Sequence, residues 1–180
     1  MSSTPVGPAT TGVDQDFAVE FAARWLAAWN SHQPERLLAL MTEDIEYDDS
    51  AWPRRMRGHA DVREFLESTW RALPDLEFEL ADGPFLMDGQ PKATLYWKGK
   101  ATFTGPLEPP GLAPTGAPLT LDGFDLHEYR DGRVCRLRIT FDMLDVSRQI
   151  GMSPKPGSGL EKAAAAAQRL GMRVKGRRGR

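Results

Sequence analysis

LTLDGFDLHEYRDGRVCRLRITF, residues 119–141, decides how the rest of the chain is read. Apolar and polar residues alternate on both sides of Asp131-Gly132, and Asp-Gly between two alternating runs is a strong local signal for a β-hairpin. One strand is expected from Leu119 to Tyr129, and its partner carries Val134, Leu137, Ile139 and Phe141 largely on one side. Upstream, Asp88-Gly89 marks a turn into a run from Lys92 to Thr104, where Ala93, Leu95, Trp97 and Phe103 alternate with Thr94, Tyr96, Lys98 and Thr102. A further strand is expected from Leu76 to Leu80. Between these runs, Gly105 to Pro118 holds five prolines and three glycines and reads as a long loop.

The first half has a different period. From Asp14 to Asn30, Phe17, Phe21, Trp25, Ala28 and Trp29 recur at three- and four-residue steps, the stripe of an amphipathic helix. Pro34 can open a second, shorter helix with Leu37, Leu38 and Met41 on its apolar face. Ile45, Tyr47 and Asp49 then alternate with Asp44, Glu46 and Asp48 as a strand, and Val62, Phe65, Leu66 and Trp70 restore a helical stripe that ends before Pro74. After the hairpin, Leu144 to Ile150 reads as a final helical turn. Three helices followed by a sheet is an α+β pattern. The three helices are expected to pack in the concave face of a strongly curved, mostly antiparallel sheet, a cone whose interior becomes a cavity.

Composition bounds the possibilities. A chain of 180 residues with 41% hydrophobic residues can bury one sizeable core, so one domain is expected over residues 14–152, with a flexible tail over 1–13 and a basic, partly helical tail over 153–180. No run approaches the roughly 18 apolar residues of a membrane span. The first dozen residues lack the basic and apolar segments of a secretory signal. The single cysteine, Cys135, allows no internal disulfide, which makes a reducing cytoplasm the expectation. His32, His59 and His127 do not form a short metal-ligand spacing, so no metal is expected; no cofactor is expected either. From Lys155 onward eight basic residues face one acid, Glu161, which leaves the body at -9 within a net charge of -2. A body this acidic argues against a nucleic-acid enzyme. There is no Gly-rich phosphate loop, no nucleophile elbow and no thiol near a His in sequence.

Arg24-Trp25-Leu26-Ala27-Ala28-Trp29-Asn30, Tyr47-Asp48-Asp49, Arg57-Gly58, Pro74-Asp75-Leu76, Pro114-Thr115-Gly116, Asp131-Gly132-Arg133-Val134 and Arg148-Gln149-Ile150-Gly151 occur in an order that resembles the SnoaL-like branch of the nuclear-transport-factor-two-like superfamily. That superfamily includes polyketide cyclases, ketosteroid isomerases, limonene-epoxide hydrolases, scytalone dehydratases and proteins that only bind. By resemblance to the isomerases, Asp49, nine residues before Gly58, matches the general base, and Asp125 matches a protonated Asp that donates to the developing oxyanion. The isomerase tyrosine falls on Trp25, whose indole donates one N–H and cannot act as an acid. The acid/base Asp of the SnoaL-type cyclases falls on Ile139, and only the second Asp of their pattern, Asp142, is present; the partner His is matched by Asp125.

Two inward carboxylates in an apolar pocket could divide acid and base roles, because burial raises a carboxyl pKa. Such a pair suits proton abstraction beside a carbonyl. The expected function is a cofactor-independent cyclase, isomerase or dehydratase for a hydrophobic carbonyl compound, with a binding module or an epoxide hydrolase-like enzyme as alternatives. Asp49, Asp125 and His127 are the catalytic candidates. Each also has a structural reading, as a turn residue for Asp49 and as a hydrogen-bonding strand residue for the other two. Trp25, Trp29, Tyr47, Trp52, Met56, Phe65, Trp97, Phe103, Ile139 and Phe141 are the candidate pocket residues, with Trp52, Met56 and the proline-rich loop at its mouth. Trp70 and Phe124 are expected in the core, and Asp142 as a helix cap. A homodimer through the outer sheet face, where Arg136 and Arg138 point, is expected.

Overall fold

The computed structural model describes residues 12–178, and the side chains of residues 12–172. Most of the N-terminal tail expected over 1–13, and the last basic side chains of the C-terminal tail, lie outside the described residues. The chain runs α1 (Gln15–Asn30), α2 (Pro34–Leu38), β1 (Met41–Asp49), β2 (Met56–Arg57), α3 (Gly58–Ala72), β3 (Glu77–Leu86), β4 (Lys92–Thr102), β5 (Pro118–Arg130), β6 (Arg133–Phe141), α4 (Met143–Gln149) and α5 (Gly159–Arg178). One six-stranded sheet has the order β2-β1-β6-β5-β4-β3. Only β1 and β6 run parallel; the other neighbours are antiparallel. The sheet is open, and α1, α2 and α3 pack on its concave side, as the α+β pattern predicts.

Local chemistry fixes the elements. Asp14 caps α1 by accepting from the Phe17 N–H at 2.8 Å. At the other end Asn30 donates to the Phe78 carbonyl and accepts from its N–H, both at 2.8 Å, which ties the last turn of α1 to strand β3. Phe21 and Trp25 are almost wholly buried, and Phe21 meets Tyr129 of β5 at 5.0 Å between ring centroids. Burial of a residue like Phe21 contributes on the order of 2–3 kcal/mol. The β5–β6 hairpin turns on Asp131 and Gly132 with φ of 52° and 72°, the left-handed pair that a two-residue turn needs.

Two expectations need correction. The strand expected to stop at Leu80 continues as β3 to Leu86, through Gly83-Pro84. It is one of the two edge strands, where a proline sacrifices no ladder partner, and register shifts at Leu80/Asp82 and Asp82/Phe85 absorb the irregularity. Phe124, expected in the core, is 45% exposed on the outer face and stacks on Tyr96 at 4.8 Å. Its neighbours Asp125 and Gly123 set the parity: with Asp125 inward, Phe124 must point out. Helix α5 is exposed along its described side chains except at Glu161, which pairs with Arg148, and Leu160, Leu170 and Met172 are open to solvent.

Candidate active site

The concave face encloses a cavity of about 280 Å³. Its floor is a single row of the sheet. Asp49 of β1 is in register with Ile139 of β6, and Ile139 is in register with Asp125 of β5, so the two carboxylates flank one isoleucine. Two strand spacings put their Cα atoms about 10 Å apart. The walls come from Trp25 and Trp29 of α1, Phe65 of α3, Phe78 of β3, Trp97 of β4 and Phe141 of β6, with Phe103 just beyond β4. Leu107, Pro109, Pro110 and Leu112 of the proline-rich loop close one side, and Met143, Val146 and Ile150 of the α4 region close the other.

Asp125, 3% exposed, sits in a cradle of donors. Trp97 Nε1–H donates to its Oδ1 at 2.6 Å and Trp25 Nε1–H to its Oδ2 at 3.1 Å. His127 Nε2 lies 3.4 Å from Oδ2, and its Nδ1 lies 3.1 Å from Tyr129 Oη. Burial and the charge of Asp125 push the Tyr129 hydroxyl up, which keeps it a donor. The network then assigns the His127 tautomer: Tyr129 donates to Nδ1, and Nε2–H donates to Asp125. Indoles cannot accept, so both oxygens of Asp125 serve as acceptors, and the three N–H groups stabilise a negative charge there.

Asp49 is the contrasting group. Burial pushes its carboxyl up to about 7, the nearby Asp125 charge adds to this, and the hydrogen bond from the Ala51 N–H partly opposes it. Asp49 retains some accessible surface because its carboxylate faces the cavity. Its Oδ1 accepts from the Ala51 N–H at 2.8 Å, so it holds the turn after β1 and lines the cavity at once.

Of the residues singled out from sequence, Asp49, Asp125, Trp25, Trp29, Phe65, Trp97, Phe103, Ile139 and Phe141 meet at the cavity. Four do not reach its wall. Tyr47 and Met56 are fully buried partners across β1 and β2, with the Tyr47 ring packed on Phe65 at 5.5 Å. Trp52 packs on Phe65 from outside at 5.4 Å. His127 is completely buried behind Asp125, edge-on to Trp25 at 4.7 Å. Asp142 caps α4, accepting from the N–H groups of Leu144 and Asp145 at 2.9 Å.

The bond from Trp97 to Asp125 escapes the sequence reading, yet a signal exists. Gly123 is a glycine inside a strand, which marks close approach. Trp97 is in register with it, and a Cβ there would lie 2.7 Å from Trp97 Cζ2, so only glycine lets the indole lie across β5 toward Asp125. The contribution of α4 was equally visible in the three- and four-residue spacing of Met143, Val146 and Ile150.

Comparison with curated proteins yields no significant sequence match. Among solved structures, AclR from Streptomyces galilaeus, described as a candidate hydroxylase, aligns with a TM-score of 0.67 at 22% identity, covering 89% of this chain and 98% of AclR. A protein from Jannaschia sp. CCS1, described as a candidate SnoaL-like polyketide cyclase, gives 0.66 at 18% identity, covering 84% of this chain and all of that one. TerC, co-crystallised with polyporic acid, gives 0.60 at 20% identity, covering 75% and 98% of the two chains. At such identities these structures speak for the fold alone. The SnoaL-like domain profile matches residues 22–137, from within α1 to the middle of β6, and by that match the chain belongs to the SnoaL-like family.

Proposed function

We propose that this protein is a cofactor-independent proton-transfer enzyme of the cyclase, isomerase or dehydratase type, acting in secondary metabolism on a hydrophobic carbonyl compound. The observation that carries the reading is a carboxyl group, Asp49, pushed up to about 7 at the floor of an apolar cavity. A base poised near the working pH is what proton abstraction from carbon needs. Asp49 takes a proton from the carbon beside the carbonyl, and the neutral acid so formed returns it at a second position, so the step balances without a co-reactant. Asp125 serves as a fixed negative pole, held by Trp25, Trp97 and His127, rather than as the donor that the isomerase pattern implies. With those N–H groups engaged, the enolate oxygen is best stabilised within the substrate, which favours a carbon already acidified by a second carbonyl or an aromatic ring.

A test reaction is exchange of the α-hydrogens of 2-tetralone in D₂O, followed by NMR. The protein should accelerate exchange, and Asp49→Asn, which keeps the bond to Ala51, should slow it by roughly 10²–10⁴-fold. Equal rates in the two proteins would refute the assignment. Ile139 between the carboxylates favours a second reading, a non-catalytic pocket that sequesters an apolar ligand; binding of 2-tetralone without exchange supports it.

A further inference from the structure

The N–H donors on the cavity floor are already committed. The N–H groups of Trp25 and Trp97 go to Asp125, and the Ala51 N–H goes to Asp49. The remaining polar side chains of the wall, Trp29 and Thr69, stand on α1 and α3 rather than on the row of sheet that carries the carboxylates. No Arg, Lys or His lines the cavity among the described residues. A carboxylate offers about four lone-pair sites, and the neighbours of Asp125 occupy three. The floor therefore presents carboxylate lone pairs faced by no cation and surrounded by aromatic side chains.

We infer that the pocket selects apolar ring systems whose inner end is an uncharged or cationic hydrogen-bond donor, a hydroxyl or a protonated amine, and rejects ligands that end in a carboxylate. This rests on the cavity being the ligand site proposed above and names what that site accepts. A hydroxyl or ammonium group supplies a donor for the acceptor site that Asp125 still has open, and an ammonium group also gains from the indole faces. A carboxylate set against Asp125 brings two like charges to about 5 Å in a partly buried setting, where their repulsion weakens binding by at least about tenfold.

Three matched probes test this at neutral pH: 2-naphthylmethanol, 2-naphthylmethylamine and 2-naphthoate. Affinity is read by titration, with the indole N–H resonances of Trp25 and Trp97 reporting contact at Asp125. The expected result is that the alcohol and the amine bind and shift both indole signals, while the acid binds at least about tenfold more weakly. If 2-naphthoate binds as tightly as the alcohol, the charge selectivity is wrong while proton transfer by Asp49 still stands. If no probe moves the indole signals, both the selectivity and the use of this cavity as a ligand site are overturned.

Discussion

Asp125→Asn tests the donor cradle most directly, because the amide is almost the same shape and opposite in chemistry at one atom. Asp125 accepts an indole N–H on each oxygen. Asparagine has one carbonyl oxygen and one NH₂ group, so whichever way it flips, an NH₂ meets an indole N–H that cannot accept. The variant loses a charge-assisted bond, about 1.5–3 kcal/mol, and leaves a buried donor unpaired at about 1–3 kcal/mol. Relief of the buried charge offsets part of this. A net loss of about 2–4 kcal/mol follows, or a Tm lower by about 5–15 °C for a domain of this size. Urea denaturation followed by circular dichroism measures it. The specific signature is coupling: Trp97→Phe removes the opposed donor, so in the Asp125→Asn background it should cost about 1–2 kcal/mol less than in the parent. An Asp125→Asn protein as stable as the parent, with strictly additive effects in the double variant, would refute the cradle.

Gly123→Ala should be as damaging as a core truncation, since its Cβ would lie 2.5 Å from the Thr140 carbonyl oxygen and 2.7 Å from Trp97 Cζ2; a loss of about 3–5 kcal/mol is expected in the same denaturation assay, together with a shifted Trp97 indole resonance. The stability of the parent should depend on Asp49. Its folded-state value of about 7 lies above the ordinary 3.8, so the folded chain holds this proton more tightly than the unfolded chain. The resulting stability is fully present below about pH 4 and is lost as pH rises through about 7. Asp49→Asn cannot titrate and should become the more stable protein above about pH 7, by about 2–4 kcal/mol; stability curves that stay parallel across that window would contradict it. The outer face that carries the exposed Tyr96–Phe124 stack and Arg138 is the one expected to pair in a homodimer; if it does, Phe124→Glu should shift the mass seen by light scattering from that of a dimer to that of a monomer without loss of helix content, and a monomeric parent would overturn the expectation.

How far the sequence reaches depends on whether the deciding interaction is periodic. The hairpin at Asp131-Gly132, the stripe from Phe17 to Trp29 and the inward parity of Asp49 and Asp125 repeat along the chain at 2.0 or 3.6 residues, so they could be read in advance. Parity assigns a side chain to a face but does not say what covers that face. Tyr47 has the same parity as Asp49, yet α3 lies over it and closes it off with Phe65, while Asp49, one step farther along β1, opens onto the cavity. The distinction depends on where α3 crosses the sheet, which is a tertiary fact. Trp52 and Met56 miss the cavity for the same reason, being packed behind Phe65 and paired to Tyr47. The extension of β3 through Pro84 was hidden because a proline reads as a stop until the strand is known to be an edge.

In the proposed reaction, Ile139 separates the two carboxylates and their roles. Carboxylates placed side by side share one proton and titrate as a pair, whereas here an apolar side chain stands between them and each keeps its own environment. Asp125 is surrounded by fixed donors, with an indole N–H on each oxygen. Asp49 has one backbone donor, a desolvating apolar wall and the field of Asp125, and all but the first favour its protonation. An acidic residue at position 139 would add a third negative group to a floor without a cation. An isoleucine there is therefore consistent with a chemistry that places the mobile proton on Asp49 and leaves Asp125 to set how tightly it is held.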